Sequence, residues 1–224
     1  PKYVGDPINA VKIFNEKEVD ELVLLDYRAT AEGRAPDFGK IAEIAGEAFM
    51  PMAYGGGIKS ADDAQRVFDA GFEKVVLNSA LFGTPGLIAE IAAGYGAQAV
   101  VASIDVGTTF FGRKEVRSLA GQKRTGLDPV DWARRVEAAG AGEILLNSID
   151  RDGTWAGYDL DLIRSVSASV NIPVVACGGA GSKDDLRRAV EAGASAVAAG
   201  SLFVYQKKGM GVLISFPSPD FETR

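Results

Sequence analysis

Short apolar runs alternate with amphipathic segments along this chain. Seven runs, Glu21–Asp26, Met52–Gly55, Lys74–Leu77, Ala99–Asp105, Glu143–Ser148, Ile172–Ala176 and Ala196–Ala199, are too short for stable helices and rich in Val, Ile, Leu and Ala. Near-continuous apolar strands of this kind are buried on both faces, as in a parallel sheet. Between them Ala61–Ala70, Pro85–Gly94, Pro129–Ala139 and Lys183–Ala192 carry helical periodicity. Ser60 with Gly71, and Ser182 with Gly193, bracket two of these segments as N-cap and C-terminal stop. A βαβα alternation predicts a parallel sheet with helices on its outside.

The pattern also repeats. Asp6-Pro7 recurs at Asp128-Pro129 and Pro51 at Pro173, a common separation of 122 positions. At the same separation Glu21 matches Glu143, Asp37 matches Asp159, Ile41 matches Ile163, Gly56-Gly57 match Gly178-Gly179, and Ser79 matches Ser201. One ungapped offset signals a duplicated half. The expected fold is an α/β (β/α)8 TIM barrel of one domain, 1–224, with half-barrels of about 1–97 and 98–203 and a tail over 204–224. The strand Ala99–Asp105 precedes Asp128-Pro129, so its first-half counterpart falls upstream of Pro1 and a first strand is expected to be missing. Gly211–Phe216 reads as a strand-like run where a last helix is expected, able to help cover that gap, and the polar end Phe216–Arg224 as a frayed terminus.

Composition narrows the chemistry. With 224 residues, 47% hydrophobic and 24% charged, the chain is ordinary for a globular protein and long enough for one barrel. Neither a membrane-length apolar run nor a signal-peptide pattern occurs, so a cytoplasmic protein is expected. A net charge of −6 argues against a nucleic-acid partner, yet leaves a small anion held by backbone amides fully compatible. Cys177 is the single cysteine and histidine is absent, which excludes disulfides, thiolate zinc sites and imidazole chemistry. Neither a metal nor a cofactor is expected, and carboxylates are left as the proton carriers.

In such barrels function sits on loops after the C-terminal strand ends. The best-marked are Gly56-Gly57 and Gly178-Gly179, with Asn78-Ser79 and Gly200-Ser201 one βα unit later. Glycine lets backbone N–H groups approach a phosphate, and a following helix N-terminus favours the anion. One such pair alone would read as a tight turn; its duplication in both halves points to two phosphate sites and a substrate phosphorylated at each end. Asp105 closes its apolar run, where an acid is costly unless paired or functional. It reads as a general acid or base, or else as a carboxylate capping a helix or meeting a loop arginine. Asp26 is a supporting candidate, whereas Asp150 and Asp152 also suit a loop-organising role. Glu21, Lys74 and Glu143 begin their strands and should converge at the N-terminal face, ordinarily a stabilising salt-bridge cluster.

From about Gly5 to Phe203 these residues resemble the cyclase subunit family of imidazole glycerol phosphate synthase. The most specific stretch is Gly140-Ala141-Gly142-Glu143-Ile144-Leu145-Leu146-Asn147-Ser148-Ile149-Asp150-Arg151-Asp152-Gly153-Thr154, followed by Gly157-Tyr158-Asp159. The resemblance implies a barrel that takes ammonia from a glutaminase subunit docked on its N-terminal face. The ammonia then reacts with a bisphosphorylated, nucleotide-like substrate, giving imidazole glycerol phosphate and an aminoimidazole carboxamide ribonucleotide. It implies Asp105 as one of two catalytic aspartates and Glu21, Lys74 and Glu143 as the ammonia gate; Asn147 and Asp152, within the matching stretch, are supporting candidates. The second aspartate and a gate arginine would belong to the strand upstream of Pro1.

The sequence also departs from that pattern. Asp26-Tyr27-Arg28-Ala29-Thr30 replaces Asp-Ile-Thr-Ala-Ser, and Val106-Gly107 stands where a lysine is expected soon after Asp105. Features such as Tyr3-Val4-Gly5-Asp6-Pro7, Phe49-Met50-Pro51, Phe111-Gly112, Leu127-Asp128-Pro129 and Val212–Pro217 resemble a paralogous branch in surface-polysaccharide clusters, which delivers ammonia to convert an acetamido into an acetamidino sugar. An alternative of another class is a non-catalytic scaffold that activates a glutaminase partner, for which Glu21, Lys74 and Glu143 matter and Asp105 does not.

Overall fold

A computed structural model of the chain describes residues 5–84 and 86–217. Its centre is one curled sheet, built from β1 (Leu22–Leu25), β2 (Met52–Gly55), β3 (Lys74–Leu77), β4 (Val100–Thr108), β7 (Glu143–Ser148), β8 (Val174–Cys177) and β9 (Ala196–Val197) in that spatial order, all parallel. The connections carry helices α1 (Pro7–Glu16), α2 (Phe38–Ala45), α3 (Ala61–Asp69), α4 (Ala80–Gly83), α5 (Leu87–Tyr95), α6 (Pro129–Ala138), α7 (Leu160–Ser167), α8 (Lys183–Glu191) and α9 (Ser201–Val204). This is the (β/α)8-barrel architecture. Seven parallel strands are present, and among the described residues no ladder joins β9 to β1. That is the position the repeat assigns to its remaining strand.

The duplication is visible in the helix starts. Asp6, Asp37 and Ser60 cap α1, α2 and α3, and Asp128, Asp159 and Ser182 cap α6, α7 and α8 at the same separation. Each side-chain oxygen accepts a backbone N–H of the first turn, for instance Asp6 from Ile8 at 2.8 Å and Asp128 from Val130 at 2.9 Å. A cap of this kind contributes about 1 kcal/mol. Proline at the first position of α1 and α6 costs nothing, since its missing N–H would have no helical partner.

Strand alternation divides the core in two. Val75, Leu77, Val100, Ala102, Ile104, Val106, Ile144 and Leu146 point outward into the large cluster shared with the helices. Ala53, Val76, Val101 and Leu145 point inward, with Val23, Val175, Cys177 and Ala198 packed on them. The inner residues are modest in size because the strands converge on a narrow axis.

Several expected boundaries shift. The run Ile172–Ala176 pairs only from Val174, since Pro173 has no N–H for a ladder and offers its carbonyl to Ile144 at 2.9 Å. Ala99 lies in a 3-10 turn, and the strand that it was expected to open runs past Asp105 to Thr108. Beyond the barrel, β4 pairs antiparallel with β5 (Lys114–Ser118), which pairs with β6 (Lys123–Arg124), a hairpin the apolar pattern does not reveal. The helix expected over Pro85–Gly94 spans Leu87–Tyr95, and Pro85 lies outside the described residues. Gly211–Phe216 is not a sheet strand. It folds back on α9 through a single bridge, Tyr205 to Val212, with Leu213 N–H on the Val204 carbonyl and Phe216 against Phe203. Of the expected frayed end, 218–224 lies outside the described residues, as do Tyr3 and Val4. Among the described residues no helix is long and apolar enough to cross a membrane.

Candidate functional site

Asp105 sits on the inward face of β4, three residues before that strand ends, with its backbone at the C-terminal mouth of the barrel. It is held from both sides. Asn78, just past β3, donates Nδ2–H to Oδ2 at 3.3 Å, and Asn147 on β7 donates Nδ2–H to Oδ1 at 3.1 Å. The same Asn78 amide also reaches the Ser103 carbonyl at 3.0 Å, which fixes its rotamer. Burial pushes the Asp105 carboxyl above its ordinary value, the Asn147 hydrogen bond pulls it down, and the charge of Asp152 pushes it up again. A carboxyl so placed can carry a proton nearer neutral pH than a solvated aspartate can.

Asn147 leaves its own Oδ1 buried without a donor. Gly178 makes this possible: a Cβ there would stand 2.7 Å from that oxygen and 2.6 Å from the Ser148 carbonyl, and its φ of +87° suits glycine. The inner face also carries Ser103, two residues before Asp105, and, on β8 opposite Asn147, Cys177, whose thiol is pushed up to about 12, chiefly by burial, and so stays neutral.

The expected phosphate residues form two groups on either side of β4 and β7. On one side Gly178, Gly179, Gly200 and Ser201 line a single recess with Asp152 and Gly153. On the other, Gly57 N–H meets Thr30 Oγ1 at 3.3 Å, while Ser79 Oγ donates to Asn78 Oδ1 at 3.2 Å and accepts Leu119 N–H at 2.9 Å. Gly56 lies so close to the Asp26 carbonyl that any side chain would collide with it.

The supporting aspartates separate by role. Asp26 binds its own loop, accepting from Arg28 and Ala29 N–H at 3.2 and 3.1 Å and meeting Arg34 at 3.2 Å. Asp150 likewise accepts Thr108 N–H at 2.6 Å, tying the β7–α7 loop to β4. Asp152 is exposed, and its charge acts on both Asp105 and Cys177.

At the opposite end Lys74 Nζ bridges Glu21 at 2.8 Å and Glu143 at 3.0 Å. The three come from β3, the start of β1 and β7, alternate members of the barrel, so their side chains share one layer across its floor. Burial disfavours the Lys74 ammonium, but hydrogen bonds to Glu21 and Glu143 outweigh it and hold the group above its ordinary value.

The hairpin adds residues that the sequence reading did not reach. Arg117 stands opposite Asp105, and Glu115 is held by both Arg124 and Gly126 N–H. The alternation Lys114-Glu115-Val116-Arg117-Ser118, with only Val116 apolar, is the signal that was available.

The fold is that of a (β/α)8 barrel, with Asp105, the amides of Asn78 and Asn147 and the paired glycine loops gathered at its C-terminal end. The chain belongs to the histidine biosynthesis protein family, whose model matches residues 1–209. It is 52% identical over 218 residues to the Pseudomonas aeruginosa protein named "Putative imidazole glycerol phosphate synthase subunit hisF2", covering 97% of this chain and 87% of that one. It is 46% identical to the Vibrio vulnificus "Putative imidazole glycerol phosphate synthase subunit hisF3", covering 97% and 85%. To the Streptomyces avermitilis "Imidazole glycerol phosphate synthase subunit HisF" it is 44% identical, covering 89% and 79%.

Proposed function

We propose that this chain is the ammonia-using synthase subunit of a glutamine amidotransferase complex of the imidazole glycerol phosphate synthase type. The observation that carries the reading is Asp105, clamped by the amides of Asn78 and Asn147 at the mouth of a barrel whose floor is a Glu21–Lys74–Glu143 layer. Ammonia released by a glutaminase on the N-terminal face passes that layer and the small inner side chains, and meets the substrate at the mouth. Gly56, Gly57, Asn78 and Ser79 take one phosphate, and Gly178, Gly179, Gly200 and Ser201 the other. Asp105 then moves protons at the reacting centre, with Asn147 holding its carboxylate and Asp152 raising its proton affinity. The two half-barrels, 1–97 and 98–203, work as one cytoplasmic domain.

A second reading concerns the substrate. The relatives named hisF2 and hisF3 are more similar to this chain than the Streptomyces HisF, and Gly107 replaces an expected lysine. Both favour the paralogous role, in which the same ammonia route serves conversion of an acetamido sugar to an acetamidino sugar.

The deciding experiment assays the full-length protein with ammonium salt and the bisphosphorylated histidine-pathway intermediate. Turnover that falls roughly 10²- to 10⁴-fold in Asp105→Asn supports the first reading. No turnover by the wild type removes the histidine assignment, and an Asp105→Asn variant that keeps full product formation with its glutaminase establishes the scaffold role instead.

A further inference from the structure

The mouth-side face of the β4–β5 hairpin carries an arginine, Arg117, whose buried Nε–H has no acceptor among the described residues. Asp105 faces Arg117 across the ladder and Gly107 faces Glu115. Directly opposed residues share a face, so these four lie together. The intervening pair, Val106 and Val116, is buried in the outer core and confirms the alternation.

The neighbouring charges on this face are already committed. Arg124 Nε and Nη2 meet Glu115 Oε2 at 3.1 and 2.8 Å, and Gly126 N–H meets Oε1 at 2.9 Å. The Arg124 hydrogen bond, with that of Gly126, holds the Glu115 carboxyl down to about 2, so it stays ionised and bound to them. Asp105 accepts from two asparagine amides rather than from Arg117. Arg117 Nε is buried with no acceptor.

Gly107 gives that side chain its course. A Cβ at 107 would stand 3.1 Å from Arg117 Nε and 3.5 Å from its Cγ, so the arginine lies across the bare glycine. Two residues on, Leu119 N–H is bonded to Ser79 Oγ, which anchors the strand bearing Arg117 to one of the glycine-loop groups. The Arg117 side chain is half-buried, and a guanidinium whose Nε–H is withdrawn from water and unmatched by a protein acceptor gains from a ligand that supplies one, while phosphate oxygens match its fork.

We propose that Arg117 is a substrate-binding, specificity-determining residue that takes phosphate oxygens on the Ser79 side of the mouth, next to Asp105. The inference rests on the phosphorylated-substrate reading above. An arginine on a non-reacting phosphate contributes to ground state and transition state alike, so its loss raises KM and leaves kcat nearly unchanged.

The test measures ammonium-dependent KM and kcat, and calorimetric affinity for the bisphosphorylated intermediate, in full-length wild type, Arg117→Met, Arg117→Lys and Gly107→Ala. The expected result is a KM raised roughly ten- to a hundred-fold in Arg117→Met, partly restored in Arg117→Lys. Gly107→Ala, which keeps the arginine and crowds it, gives a smaller rise in the same direction. If Arg117→Met does not fold, the lysine and alanine variants decide by the same criterion. Wild-type binding with KM unchanged in these variants overturns the role of Arg117 alone; a wild type that binds no bisphosphate overturns this inference together with the reading beneath it.

Discussion

At the scale of a single residue, the role proposed for Asp105 carries a stability cost. Because burial raises its carboxyl above the unfolded value of 3.8, the folded protein binds that proton more tightly than the unfolded chain does. Its contribution to stability is therefore greatest below 3.8 and is lost as pH rises from there through the raised folded value. At neutral pH the protein carries a partly desolvated charge that asparagine would not. Asp105→Asn should thus melt at or above the wild-type temperature at pH 7 while losing activity, with the advantage shrinking as pH approaches 3.8. Calorimetric melting across that range checks it, and a variant markedly less stable at pH 7 would mean that the carboxylate is needed for packing. The same scale shows what spacing leaves out at Asp26. Position at a strand end was legible, but that both its oxygens face its own loop depends on Arg28, Ala29 and Arg34, which no spacing rule brings together.

At the scale of elements the repeat was the most legible feature, because caps and turns are local chemistry. Asp6, Asp37 and Ser60 cap their helices as Asp128, Asp159 and Ser182 do, and the strands begin and end within a residue or two of expectation except β4, which runs three residues past Asp105. Where the halves differ, the reason is tertiary. Asp159 caps α7 and also pairs with Lys114 of the hairpin, while the side chain of Asp37, its counterpart on α2, makes among the described residues only the cap bond to Lys40 N–H. Asp159 is also the less exposed of the two. Asp37→Ala should cost about 1 kcal/mol, and Asp159→Ala about 1–2 kcal/mol more. Chemical denaturation of both variants reads the difference, and equal losses would show that the Lys114 contact contributes nothing. The hairpin itself escaped the sequence because β5 buries polar Glu115 and Ser118 beside Val116, and β6 is exposed, so no apolar run marks either strand. Val116 alone reaches the outer core, and Phe110 and Phe111 at the tip are almost fully exposed.

Across the whole molecule the barrel axis is organised from end to end. A charged layer of Glu21, Lys74 and Glu143 forms the floor, small apolar side chains fill the middle, and amides, a thiol and Asp105 line the mouth. Strand alternation made that order readable, since it sorts each run into an outward half that buries large residues and an inward half that must keep to the axis. Among the described residues the sheet is continuous except between β9 and β1, the position that the repeat assigns to one more strand. The duplicated glycine loops fall on opposite sides of Asp105 because their strands flank β4 and β7. A substrate phosphorylated at both ends would lie across Asp105 with its middle at the carboxylate. A crystal structure of the full-length protein with the bisphosphorylated intermediate bound tests this most directly. The account predicts one phosphate at Gly178–Gly179 and Gly200-Ser201, the other at Gly56-Gly57 and Asn78-Ser79 within reach of Arg117, and the reacting atoms beside Asp105. A ligand seated on the outer helices, or one whose phosphates avoid both glycine loops, would contradict it.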